Sequence, residues 1–351
     1  MPRYSLSSRT LRLLPVVIAF CTATSPLAAA PGDLFAASEP LSIRIEGPIA
    51  KVVRRSDDPQ YEAARLLTAD EQGVQLTIDL RVRARGRSRV TACDFPPLLL
   101  NFPGKQPSGS PFDGQNRLKL VTHCNAASAY EQYVLIEQQL YRALNLLTDK
   151  SLRIRPVKVT YYDSEREREL VTKPGFLIED EQRFADRLGV MPVALERIDA
   201  ARYDAATLML LDTFQYFIGN TDWSAAAGPT GEPCCHNVVP FARGDGVLLP
   251  VPYDFDSSGI VGAPYTLPDE RLPIRTVRQR LYRGRCREQA SFEPVFDRFI
   301  EQRAAIAALF SEAAGLSARN SASAVSYIDE FYATITDPRK AQRAFQVACP
   351  A

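Results

Sequence analysis

The sequence predicts an α+β protein built in two parts: a β-rich first half carrying one long helix, then a mainly helical second half. Three observations predict it. Apolar and polar residues alternate in several runs before Glu179, as on strands with one buried face. The stretch Tyr130 to Leu147 instead repeats apolar residues at intervals of three and four, the helical period. After Glu179 the alternation gives way to apolar helical stretches, broken by one long loop region rich in Gly, Pro and Asp. The 351 residues are 46% apolar and 24% charged, which excludes a disordered or collagen-like chain and supplies a sizeable core.

The elements follow in order. Leu41 to Arg54 and Val74 to Val90 read as strands, the second through Val74, Leu76, Ile78, Leu80 and Val82. Pro96 to Phe102 and Arg117 to Thr122 continue the pattern, separated by the turn-rich Gly104 to Gly114. The helix Tyr130 to Leu147 turns Tyr133, Ile136, Leu140, Leu144 and Leu147 to one side. Leu152 to Tyr161 and Leu170 to Ile178 return to strand character. Helices are then expected over Ala205 to Ile218, Glu288 to Ala314, Ser321 to Thr334 and Asp337 to Val347. The predicted division is 1–30 as a signal peptide, 31–180 as the β-rich lobe and 181–351 as the helical lobe, with a cleft between lobes as the ligand site.

The N-terminus reads as an export signal. Arg3, Arg9 and Arg12 precede the short apolar stretch Leu13 to Ala23, and Ala28 to Ala30 or a point near Ser38 offers cleavage. No later segment has eighteen consecutive apolar residues, so no transmembrane segment is expected after signal removal. A periplasmic or extracellular protein follows. Removing the signal leaves six cysteines, an even set that suggests disulfides. Cys93 and Cys124 are the first expected pair, while adjacent Cys234 and Cys235 are expected to bond to distant partners, Cys286 and Cys349. Beyond the signal the charge is near neutral, which gives no electrostatic case for nucleic acid. Two histidines, His123 and His236, argue against a multi-histidine zinc site, and Cys234-Cys235-His236 are too close together to surround one ion.

Three stretches carry the candidate chemistry: Ile218-Gly219-Asn220-Thr221-Asp222-Trp223, His236-Asn237, and Pro252-Tyr253-Asp254-Phe255-Asp256-Ser257-Ser258-Gly259. Phosphoryl transfer needs such a set, with one carboxylate to orient the attacking hydroxyl and an Asn and Asp to hold magnesium. Lys119 on a predicted strand and Glu137 on the following helix could grip phosphates as a pair. The Asn-Thr-Asp-Trp, His-Asn and Tyr-Asp-Phe-Asp series resembles the CotH family of secreted protein-kinase-like proteins and, more distantly, HipA-like kinases. The likeness runs from about Arg117 to Gly259. It implies a two-lobed protein-kinase-like fold, with Asp222 as catalytic base, Asn237 and Asp254 as metal ligands, and Asp256 as the competing ligand. Lys119 and Glu137 would bind the nucleotide and Glu179 would sit at the hinge. The expectation is an exported atypical kinase that binds ATP and Mg2+ and phosphorylates a protein or small-molecule hydroxyl.

The sequence also departs from that pattern. It has no Gly-x-Gly-x-x-Gly loop and no Walker motif, and fifteen positions separate Asp222 from Asn237. The alternative is a catalytically inactive, kinase-shaped binding module of the cell envelope that holds calcium or a surface partner. Asp254 to Gly259 begins like a calcium loop, but Tyr265 stands where the terminal Glu belongs. Trp223 reads as core, and the six arginines between Arg275 and Arg287 read first as a solvated face, second as a landing site for an acidic partner. No Gly-x-Ser-x-Gly elbow supports a serine hydrolase.

Overall fold

A computed structural model describes Met1 and residues 33–54, 58–70, 72–86 and 89–346. Apart from Met1, the signal peptide expected over residues 1–30 lies outside them, as does Cys349.

The first half forms β1 (Leu41–Gly47), α1 (Ile49–Val52), β2 (Glu62–Ala69), β3 (Gln75–Ala84), α2 (Arg89–Ala92), β4 (Leu98–Asn101) and β5 (Arg117–Val121). The long helix α3 (Ser128–Leu147) follows, then β6 (Ile154–Asp163) and β7 (Arg168–Ile178). Seven strands close into one barrel in the order β1-β2-β3-β4-β5-β7-β6. Every pairing is antiparallel except β1 with β6, which run parallel from Leu41 opposite Val157 to Gly47 opposite Asp163.

The two-lobed protein-kinase-like architecture expected from the sequence is therefore overturned. The long strands β6 and β7 return after α3 and close the ring. β6 bonds β7 on one edge and β1 on the other. Alternation reports which face of a strand is buried, not which edge it pairs with, so closure was invisible in the pattern. The closed barrel fills itself. Ile43 and Ile45, Leu66, Leu80 and Val82, Leu98, Leu118 and Val159 pack its interior.

The outer face of β7 is buried as well. Leu177 points into the barrel core, whereas Phe176 and Ile178 pack against α3 through Ile136, Leu140 and Leu144. Gly175 is fixed by a close approach, since a Cβ there would lie 2.7 Å from the Val121 carbonyl oxygen. The rest of the chain builds on this second core. It comprises α4 (Glu181–Leu188), β8 (Met191–Pro192), α5 (Ala205–Ile218), β9 (Val238–Ala242), β10 (Leu248–Pro252), α6 (Glu293–Ser311), α7 (Ala318–Ile335) and α8 (Pro338–Phe345). β8, β9 and β10 form a small separate sheet, and α6 and α7 pack against α3 and α5 through Phe299, Ile306, Ile328 and Phe331. No helix among the described residues is long and apolar enough to cross a membrane.

Candidate functional site

The site is assembled where α3 meets the chain leaving β10. Glu137 and Tyr141 lie one turn apart on α3, so they share a face. Tyr141 Oη accepts the Asp254 N–H at 2.9 Å and Glu137 Oε1 accepts the Phe255 N–H at 3.3 Å. Phe255 is anchored beneath, its ring 4.6 Å from Tyr141 and 5.4 Å from Phe214. Asp254 takes the left-handed backbone conformation, φ 62°, which aspartate tolerates better than most residues. These contacts bring one oxygen each from Glu137, Asp254 and Asp256 within 4.8 Å of one another. Arg89, at the start of α2, closes the group: its Nε donates to Asp256 Oδ2 at 2.9 Å and its Nη2 to Tyr265 Oη at 2.9 Å.

Three carboxylates face one guanidinium here, with little water to screen them. Burial, then Asp256 and Asp254, hold the Glu137 carboxyl well above its usual range, against the pull of Arg89. Burial, opposed by Arg89 and reinforced by Asp254, pushes Asp256 up to about 6. These carboxyl groups are hard oxygen donors that could hold a magnesium or calcium ion once their protons leave. The structure thus joins Asp254, Asp256 and Glu137, whereas the sequence grouped Glu137 with Lys119.

Asp222 approaches from the end of α5. Asp204 caps the start of that helix and Gly219 ends it in the left-handed conformation, φ 68°. The Asn220 side chain then accepts the Asp222 N–H at 2.9 Å, turning the chain. Asn237 Nδ2 donates to the Asp222 carbonyl at 2.7 Å and to Oδ2 at 3.3 Å, and His236 Nε2 lies 2.6 Å from Oδ1. The fifteen-residue separation is bridged by two backbone hydrogen bonds between Ser224 and His236. Tyr253 N–H donates to the Asn237 carbonyl at 3.0 Å, which ties this loop to the approach to Asp254. Asp222 remains half exposed over a cavity of about 560 Å³, and its charge reaches Asp256.

Lys119 does not pair with Glu137. Its ammonium bonds Glu181 at 2.9 Å and lies 4.5 Å from the centre of the Tyr253 ring, one residue before Asp254. Glu179 is buried at the end of β7, where both its oxygens bond Arg187 and one accepts the Arg153 N–H at 3.0 Å. Lys119, Glu179 and Glu181 line a smaller cavity of about 310 Å³.

Sequence reasoning missed Arg89, Tyr141 and the His236 contact. The run Arg85-Gly86-Arg87-Ser88-Arg89 was the available signal for the first, and the four-residue spacing from Glu137 for the second. Cys93 and Cys124 are bonded as expected, but Cys234 and Cys235 are bonded to each other rather than to distant cysteines. Cys286 is also in a disulfide. Trp223 packs with Leu211 and Val238, and His123 is buried beside Phe95, its pKa lowered to about 4 by burial, with Lys173 adding to the effect. The basic run is neither a solvated face nor a landing strip throughout. Arg280, Arg283 and Arg287 bond Phe217 O, Trp223 O and the buried carboxylate of Asp212.

No protein-family model matches the chain, and no curated protein matches it.

Proposed function

We propose that this protein is a phosphotransferase that uses a divalent cation, with ATP as donor and a hydroxyl on a protein or small molecule as acceptor. The reading rests on side chains and not on a kinase fold. The observation that carries it is the convergence of Glu137, Asp254 and Asp256, with an oriented, half-exposed Asp222 whose charge reaches Asp256. Asp254, Asp256 and Glu137 would hold Mg2+, whose charge offsets that of the phosphates. Asp222 would accept the proton of the attacking hydroxyl, with Asn237 and His236 fixing its carboxylate. Lys119 would meet the phosphates after leaving Glu181. The resemblance to CotH-type and HipA-like sequences supports the same assignment of Asp222 and Asp254. The export-type N-terminus and the Cys93–Cys124 disulfide support a compartment outside the cytoplasm.

One observation favours a second reading, a cation-stabilised binding module without turnover. Lys119 and Arg89 are already engaged by Glu181 and Asp256, leaving fewer free cations for phosphate. Calorimetric titration with ATP, in magnesium and separately in calcium, separates the two. Magnesium-dependent ATP binding that is lost in Asp254→Asn supports the phosphotransferase. Calcium binding alone, lost in the same variant, supports the module, and silence in both overturns the two together.

A further inference from the structure

The helix that supplies Glu137 carries a second polar face. Leu135, Gln138 and Arg142 lie three and four residues apart, turned away from the acidic group. They line a cavity of about 630 Å³ bounded by β6, β7 and the end of α6, within the roughly 300–1,000 Å³ typical of small-ligand pockets. Its apolar wall includes Val157, Pro156, Pro174, Ala308 and Leu309.

Two polar side chains that line this cavity are little engaged by the described residues. Gln138 is only 7% exposed, yet its amide makes no hydrogen bond to any described residue. Arg142 is half-buried, and among the described residues it makes one hydrogen bond, 3.3 Å to Gln139 Oε1, and no ion pair. The other charges are engaged or peripheral. Lys173 is held by Glu131, while Lys158, Glu39 and Glu312 lie exposed at the rim. The cavity therefore offers an apolar wall, the Gln138 amide and the half-buried Arg142 guanidinium, which also borders the neighbouring cavity.

We infer that this cavity binds an amphipathic monocarboxylate, its carboxylate on Arg142 and Gln138 and its hydrocarbon body against Leu135, Val157 and Leu309. A guanidinium matches a carboxylate with two parallel N–H donors, and Gln138 supplies a further donor. The site is separate from the acidic group and does not depend on its function.

The test is calorimetric titration of the full chain with decanoate and with uncharged decanol. The expected result is saturable binding of one decanoate per chain, with decanol at least about tenfold weaker, as loss of a charge-assisted bidentate contact implies. Arg142→Met, which keeps the apolar stem, weakens decanoate by about tenfold or more, and Ala308→Trp, which fills the cavity, abolishes binding. Asp254→Asn leaves it unchanged. Absence of saturable binding, equal affinity for decanol, or unchanged affinity in both cavity variants would overturn the assignment.

Discussion

Removing one carboxylate from the acidic group changes how stability depends on pH, and the structure gives the size of the change. Asp256 has an ordinary carboxyl pKa of 3.8 in the unfolded chain and about 6 in the folded protein. Below about pH 3.8 it is protonated in both states, and its contribution to stability is fully present. As pH rises toward about 6, the unfolded chain has released a proton that the folded protein still holds, so stability falls with pH across this window. The gap corresponds to about 3 kcal/mol, lost once pH exceeds the folded value. The side chain is 8% exposed, so solvent screening removes little of this.

Asp256→Asn abolishes that titration. Because Asp256 also raises the Glu137 pKa, the variant relieves part of the Glu137 penalty in the same direction. The readout is a double difference: urea unfolding free energies of wild type and variant, each compared between about pH 4 and about pH 7. Wild type should lose about 2 kcal/mol more than the variant over this range, since a small part of the gap is already lost by about pH 4. Absolute stability is not the readout, since the variant leaves the Arg89 guanidinium without its carboxylate. Saturating Mg2+ should reverse the wild-type loss, by about 2.7 kcal/mol at a hundred times its Kd, and do so increasingly as pH rises through about 6. Equal pH dependence in wild type and variant would refute the account of the acidic group as a strained cluster of buried charge.

Three further outcomes follow. Asp222→Asn should keep the fold and ATP binding but lower kcat by about 10²- to 10⁴-fold, read in a phosphoryl-transfer assay once an acceptor is found. Replacing both Cys93 and Cys124 by Ala removes a cross-link between positions 31 apart and should destabilise the oxidised protein by about 3–4 kcal/mol in urea unfolding. Gly219→Ala puts a side chain at φ 68° against the Tyr327 hydroxyl and should lower stability by about 1–3 kcal/mol, visible as a reduced Tm.

What the sequence made legible was local. Ala205–Ile218 is a helix to the residue, because a strongly apolar run lies between Asp204 and Gly219, a cap at each end. β2 was missed because Glu62-Ala-Ala-Arg-Leu-Leu-Thr-Ala has little β propensity. It is a strand because β1 and β3 flank it, with Ala64, Leu66 and Thr68 turned inward. β9 and β10 were hidden by Pro240 and Pro250, which face each other across the pair. At the site, the residue types were legible and their partners were not. Glu137 was read with Lys119 from spacing along the chain, but spacing does not fix the rotation of α3. That rotation turns Glu137 and Tyr141 onto the backbone of Asp254 and Phe255 and leaves Lys119 to Glu181.

The arginine run from 275 to 287 shows why a composition signal can be read in the wrong place. α5 ends at Ile218 with carbonyls that no further turn can satisfy and with the negative end of its dipole. Arg280 donates to Phe217 O, and Arg283 to the carbonyls of Thr221 and Trp223. Arg287 neutralises Asp212, buried in the helix, where losing its partner would leave an uncompensated charge. Arg278 and Arg280 also lie over the Tyr327 ring, at 5.1 and 3.6 Å from its centre. Cations that look like a surface for an acidic partner therefore complete a helix end. Arg283 does so on both sides of Asp222, so this segment helps to hold the turn that presents the candidate base.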